Sequence, residues 1–187
     1  KMDILKWNLN REKPYRGKQE HKRCLATVCK IMEGIERKFD LYPQTYFIAV
    51  NIMDKLLQRN RKLFLCKSNL FLAYSFMFLA SKFEDVYSLQ LHEVLDENRF
   101  HTKQDFICFE RKVLNELGYI IPHITSYSFL IQYLEMMPEV NTRPIYEKCV
   151  AKLRKPQTVR PSQHARNVLS VVIGKENPAL ENLKEIV

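Results

Sequence analysis

The chain has 187 residues, 46% of them hydrophobic, and carries a formal charge of +9 from 30 Lys/Arg against 21 Asp/Glu. That composition fits a globular protein long enough to bury a core and argues against a disordered one. Four widely spaced glycines exclude a Gly-rich phosphate loop, and the longest apolar run falls short of the ~20 residues needed to cross a bilayer, so a soluble chain is expected.

Residues 3–12 are predicted as a short helix carrying Ile4, Leu5, Trp7 and Leu9, followed by a basic linker at 13–18. Residues 1–21 thus form a leading segment. The first long helix is expected over 22–39, with Leu25, Val28, Cys29, Met32, Ile35 and Phe39 on one face. Pro43 opens a second helix in which Tyr46, Ala49, Val50, Met53, Leu56 and Leu57 keep the 3.6 period. Ser68 is placed to cap a third, whose apolar run at 70–80 marks a central, surrounded element. Ser88 is expected to cap a short fourth helix with Leu89, Leu91, Val94 and Leu95. Thr102, with Asp105 three residues on, starts a fifth that Gly118 ends. These five helices make a first lobe, residues 22–121. After a connector at 119–125, helices are expected from Ser126, Pro144 and Pro161, with a last segment from Pro178. Residues 122–187 then form a smaller second lobe, one helix short of the first. The fold class is all-α.

Two charges interrupt this pattern. Lys82 closes the apolar third helix, and Glu110 lies in the fifth. At about 100° per residue, Phe106, Ile107, Val113, Leu114 and Leu117 fall within roughly 60° of Glu110. A carboxylate on an apolar stripe is costly unless paired. Two readings stay open: an internal ion pair with Lys82, or a docking surface for another protein.

The ordered motifs resemble the cyclin family, most closely the A/B-type mitotic cyclins. Ala80-Ser81-Lys82-Phe83-Glu84-Asp85 is similar to the Ala-Ser-Lys-Phe-Glu-Glu of a cyclin box. Phe109-Glu110-Arg111-Lys112-Val113-Leu114 is similar to its Met-Glu-x-x-Ile/Val-Leu, His101-Thr102-Lys103-Gln104 to its Tyr-Thr-Lys segment, and residues 49–57 to Ala-Val-Asn-Tyr-Ile-Asp-Arg-Phe-Leu. The resemblance implies a cyclin-like five-helix lobe followed by a reduced second one. It implies a regulatory subunit of a cyclin-dependent Ser/Thr kinase, acting in cell-cycle control in the nucleus and cytoplasm. Lys82 and Glu110 would then bond to backbone around the kinase's regulatory helix, with Phe83, Leu114 and Ile121 as apolar contacts. It also implies a groove for substrate or inhibitor peptides at Leu25, Val28, Ile31 and Asp54. The family's groove arginine is replaced by Leu25 in the ungapped match, although its aspartate partner is present as Asp54; a two-residue shift would align Arg23 instead. The other reading of Asp54 is an ordinary helix charge facing solvent or the neighbourhood of Lys55.

The basic clusters at 11–23, 55–67 and 152–166 leave a nucleic-acid-binding factor of the TFIIB type as the alternative. The absence of aromatic residues interleaved with the basic ones disfavours nucleic acid. The five histidines and five cysteines show no metal-ligand spacing, and no nucleophile motif is present. Neither catalysis nor a cofactor is expected, and the cysteines read as reduced intracellular thiols.

Overall fold

The computed structural model describes residues 22–64, 67–137, 143–155 and 159–174; the helix predicted at 3–12, the linker after it and the segment from Pro178 lie outside the described residues. The described residues hold eight α-helices and no strand, so the protein is all-α, as its sequence predicts. The helices are α1 (Lys22–Lys38), α2 (Pro43–Arg59), α3 (Asn69–Glu84), α4 (Leu91–Glu97), α5 (Lys103–Leu117), α6 (Ser126–Met136), α7 (Arg143–Leu153) and α8 (Pro161–Ile173), with a 3₁₀ turn at Arg61–Phe64. The chain divides between His123 and Ile124 into two compact units.

In the first unit α3 is the axis, packed by α1, α2, α4 and α5. Every residue from Phe71 to Ser81 is buried, which explains why its sequence is apolar all round. Ser68 caps it, its Oγ accepting from the Phe71 N–H at 3.1 Å. Phe71 anchors an aromatic cluster, with ring centroids 4.6 Å from Phe106, 5.3 Å from Phe109 and 4.4 Å from His101. Asp85, just past α3, accepts from Tyr42 N–H at 2.7 Å and from Thr45 Oγ1 at 2.6 Å, tying the end of α3 to the start of α2.

One predicted cap is corrected. α4 begins at Leu91 rather than after Ser88, with Gln90 as its N-cap. Leu89 is buried and its N–H donates to Ser81 Oγ at 3.1 Å, so the chain is pinned across α3 before the helix can start. In the second unit α6, α7 and α8 pack against one another around Phe129, Leu130, Tyr133, Cys149, Leu153, Ala165 and Leu169.

Candidate functional site

The Lys82–Glu110 constellation lies where α3 leaves the core. Phe78 and Leu79 are still buried, whereas the Lys82 side chain is 40% exposed and Phe83 as a whole 52%. Lys82 Nζ donates to both Glu110 oxygens, at 2.8 and 2.9 Å, and lies 3.8 Å from the Phe78 ring centroid. Glu110 is presented by α5, whose first turn is fixed by a capping box: Asp105 N–H donates to Thr102 Oγ1 at 3.3 Å and Thr102 N–H to Asp105 Oδ2 at 2.8 Å. The Thr102 N–H, and then the Thr102 hydroxyl, which also donates to Asp105 Oδ2 at 2.8 Å, hold the Asp105 carboxyl below its ordinary range.

At the other end of α5 the backbone turns sharply. Gly118 has φ +63° and Tyr119 follows at φ +58°, a left-handed conformation that only glycine adopts freely. Tyr119 N–H donates to Leu114 O at 2.9 Å, and its hydroxyl to Asn115 Oδ1 at 2.7 Å. The turn leaves Tyr119 and Ile120 exposed and Ile121 half-buried, while Leu114 on α5 is also half-buried. His123 then stacks beside Phe83, ring centroids 6.2 Å apart, and its carbonyl accepts from Gln44 Nε2 at 2.9 Å. Glu84 is half-buried nearby; desolvation and then the Asp85 charge push its carboxyl upward, against a smaller pull from His123. Lys82 and Glu110 are in direct contact, and Phe83 is solvent-exposed beside Lys82 at the end of α3. Val86 and Tyr87 just beyond α3 are also highly exposed, at 79% and 91%; sequence periodicity does not flag them because they belong to no helix.

The four residues of the predicted groove fare differently. The Leu25 side chain lies outside what is described. Val28 is 2% exposed and belongs to the core, so it offers no surface; Ile31 is half-buried. Asp54 is half-buried too, so it does not simply face solvent. Among the described residues it has no hydrogen-bond or ion-pair partner, and burial drives its carboxyl up to about 7. The Cys29 thiol beside it is raised to about 11, by burial first and the Asp54 charge second.

Sequence reasoning also missed a cavity of about 340 Å³ around the start of α3 and the α4–α5 loop, lined by Leu70, Asn98, Phe100 and His101 among others. Asn98 is 2% exposed; its Nδ2 donates to Val94 O at 2.7 Å while its Oδ1 has no partner among the described residues. Nothing in a polar loop sequence announces a buried amide. Among the described residues no helix is long and apolar enough to cross a membrane, and no group of three His, Cys, Asp or Glu side chains is set to hold a metal.

The family model for the cyclin N-terminal domain matches residues 5–121. The G2/mitotic-specific cyclin-B1 of Caenorhabditis elegans is 29% identical over 153 residues, covering 76% of this chain and 41% of that protein. The G2/mitotic-specific cyclin-1 of Antirrhinum majus is 25% identical over 132 residues, covering 68% of this chain and 27% of that protein. The chain therefore spans less than half the length of each of these two relatives. Among solved structures, a viral cyclin from Herpesvirus saimiri superposes with a TM-score of 0.68 at 17% identity, covering 86% of this chain and 76% of that one, a likeness of fold.

Proposed function

This chain belongs to the cyclin family, and on that premise we propose that it is a regulatory subunit that binds and activates a cyclin-dependent Ser/Thr kinase in cell-cycle control, in the nucleus and cytoplasm. The observation that carries the reading is the bidentate Lys82–Glu110 pair beside the exposed Phe83 ring, with Leu114 and Ile121 half-buried in the same unit. A protein kinase is active only when its catalytic lysine pairs with a glutamate on its regulatory helix and its activation loop is open. On this reading the chain supplies no catalytic group. It binds one arrangement of that helix better than the other, and moving the kinase from about 1:99 to 99:1 needs roughly 5.5 kcal/mol of differential affinity. Apolar contact at Phe83, Leu114 and Ile121 supplies part of this. Glu110 accepting main-chain N–H groups and Lys82 donating to main-chain carbonyls supply orientation. Substrate or inhibitor peptides would dock separately, near Ile31 and Asp54.

The test is to mix the purified chain with a panel of cyclin-dependent kinases and follow complex formation by gel filtration and phosphorylation of a histone substrate. Lys82→Ala and Glu110→Ala are expected to stay folded by circular dichroism and to lose activation of whichever kinase the parent activates. Full activation by either variant overturns the proposed role of the pair.

A further inference from the structure

Phe83 and Ile121 come from segments far apart in sequence, one at the end of α3 and the other beyond the turn that ends α5. Both segments are fastened to the first turn of α2. That helix has Tyr42 as its N-cap, with no side-chain cap bond, and continues through Pro43 and Gln44 to Thr45. In a capping box the third helical residue carries an acidic or amide side chain that returns to accept from the N-cap N–H. Thr45 stands at that position without one. Asp85, just past α3, takes over the role: its Oδ1 accepts from Tyr42 N–H at 2.7 Å and its Oδ2 from Thr45 Oγ1 at 2.6 Å. The start of α2 is therefore completed by the end of α3. One residue away, Gln44 Nε2 donates to the His123 carbonyl at 2.9 Å, and His123 N–H donates to Ile121 O at 3.0 Å. The His123 ring beside Phe83, centroids 6.2 Å apart, closes the circuit.

We propose that Gln44 and Thr45 are positioning residues for kinase docking, a clamp that sets Phe83 and Ile121 at the spacing the kinase meets; the inference rests on the kinase reading above. Thr45 is 0% exposed and touches no partner, whereas Phe83 is 52% exposed. Any effect of Thr45 on docking must therefore pass through the residues it holds. Two apolar side chains on separate segments contribute together only if both meet the partner at once, and ordering either segment during binding costs conformational entropy. A clamp closed in the free chain removes that cost. Because it acts before the partner arrives, its loss weakens association and leaves the activity of the assembled complex unchanged.

The experiment titrates the whole chain into the kinase that the parent activates and follows histone phosphorylation. Thr45→Val keeps the side chain's shape and removes the hydroxyl that Asp85 holds. Gln44→Glu replaces the donor with an acceptor that repels the His123 carbonyl, while a carboxylate in the first turn of a helix is otherwise favourable. Thr45→Ser keeps the hydroxyl, and Ser68→Ala, which removes the cap at the far end of α3, controls for a simple loss of stability. Circular dichroism checks that all are folded. Thr45→Val and Gln44→Glu are each expected to raise the concentration for half-maximal activation about three- to ten-fold with the plateau unchanged. Thr45→Ser and Ser68→Ala should stay within about two-fold of the parent, and Thr45→Val should add less than about two-fold in a Phe83→Ala background, where the residue it positions is gone. An unchanged midpoint with Thr45→Val, an equal shift with Ser68→Ala, a lowered plateau, or full additivity with Phe83→Ala overturns the clamp alone. A parent that activates no kinase overturns the kinase reading, and the clamp's role with it.

Discussion

Asp54→Asn is expected to stabilise the first unit at alkaline pH and to leave it little changed in acid. A carboxyl moved from its ordinary 3.8 to about 7 by desolvation corresponds to a ceiling on the order of 4 kcal/mol. Asp54 is only half-buried, and solvent relaxation lowers the expected effect to about 1–3 kcal/mol. The sign follows from proton counting. Between about pH 4 and pH 7 the unfolded chain has released this proton and the folded chain still holds it, so parent stability falls as pH rises through that window and is level above it. Asparagine has nearly the same shape and never ionises. Urea melts of parent and variant at pH 4, 6 and 8, followed by far-UV circular dichroism, should diverge progressively in favour of the variant. Cys29 supplies a second readout: with the neighbouring charge removed, its thiol ionises more readily and reacts faster with a small alkylating reagent. A variant no more stable than the parent at pH 8 refutes the desolvation argument.

Three further outcomes follow from the same coordinates. His164, buried in α8 with Nδ1 3.3 Å from Ser126 Oγ, is pushed down from 6.5 to about 4 by burial. The unfolded chain gains this proton first, so the second unit loses stability as pH falls from about 6.5 to 4, and His164→Gln should flatten that slope in urea melts. Glu110→Gln should cost about 1 kcal/mol or less in stability, because the pair is 40% and 19% exposed at its two side chains; a loss above about 3 kcal/mol would mark the pair as a structural bridge. Ser68→Ala, which removes the cap of α3, should cost about 1 kcal/mol by denaturant melt.

What the sequence disclosed and what it hid divide along one physical line. Periodicity and punctuation report how a residue sits on its own helix, and there they succeed. The apolar run at 70–80 gave away α3, Thr102 and Gly118 bracketed α5, and Pro43 and Pro161 opened α2 and α8. They fail where a residue's surroundings come from elsewhere in the chain. Ser88 has the right chemistry for a cap, yet Leu89 is held to Ser81 and the helix starts later. Asp54 looks like a surface charge on α2, and only folding takes it out of water beside Cys29 of α1. Val28 and Ile31 stand three residues apart on α1, yet one is sealed in the core and the other half open. Asn98 in a polar loop gave no hint of a buried, half-satisfied amide.

The internal pair of Lys82 and Glu110 does not preclude the docking reading. The pair closes within the first unit, so neither group waits as an isolated charge on an apolar surface, and the desolvation cost that made Glu110 conspicuous is largely met before any partner arrives. Each carboxylate oxygen keeps lone pairs beyond the one it offers Lys82, and the ammonium retains donor capacity. A partner's unpaired backbone groups can therefore be satisfied without breaking the pair. Held by Glu110 on one side and the Phe78 ring on the other, Lys82 has already lost most of its rotamer freedom, a cost of up to about 2 kcal/mol that binding would otherwise bear. An exposed ion pair that adds little to folding can in this way add appreciably to recognition, because its ordering is completed in the free chain.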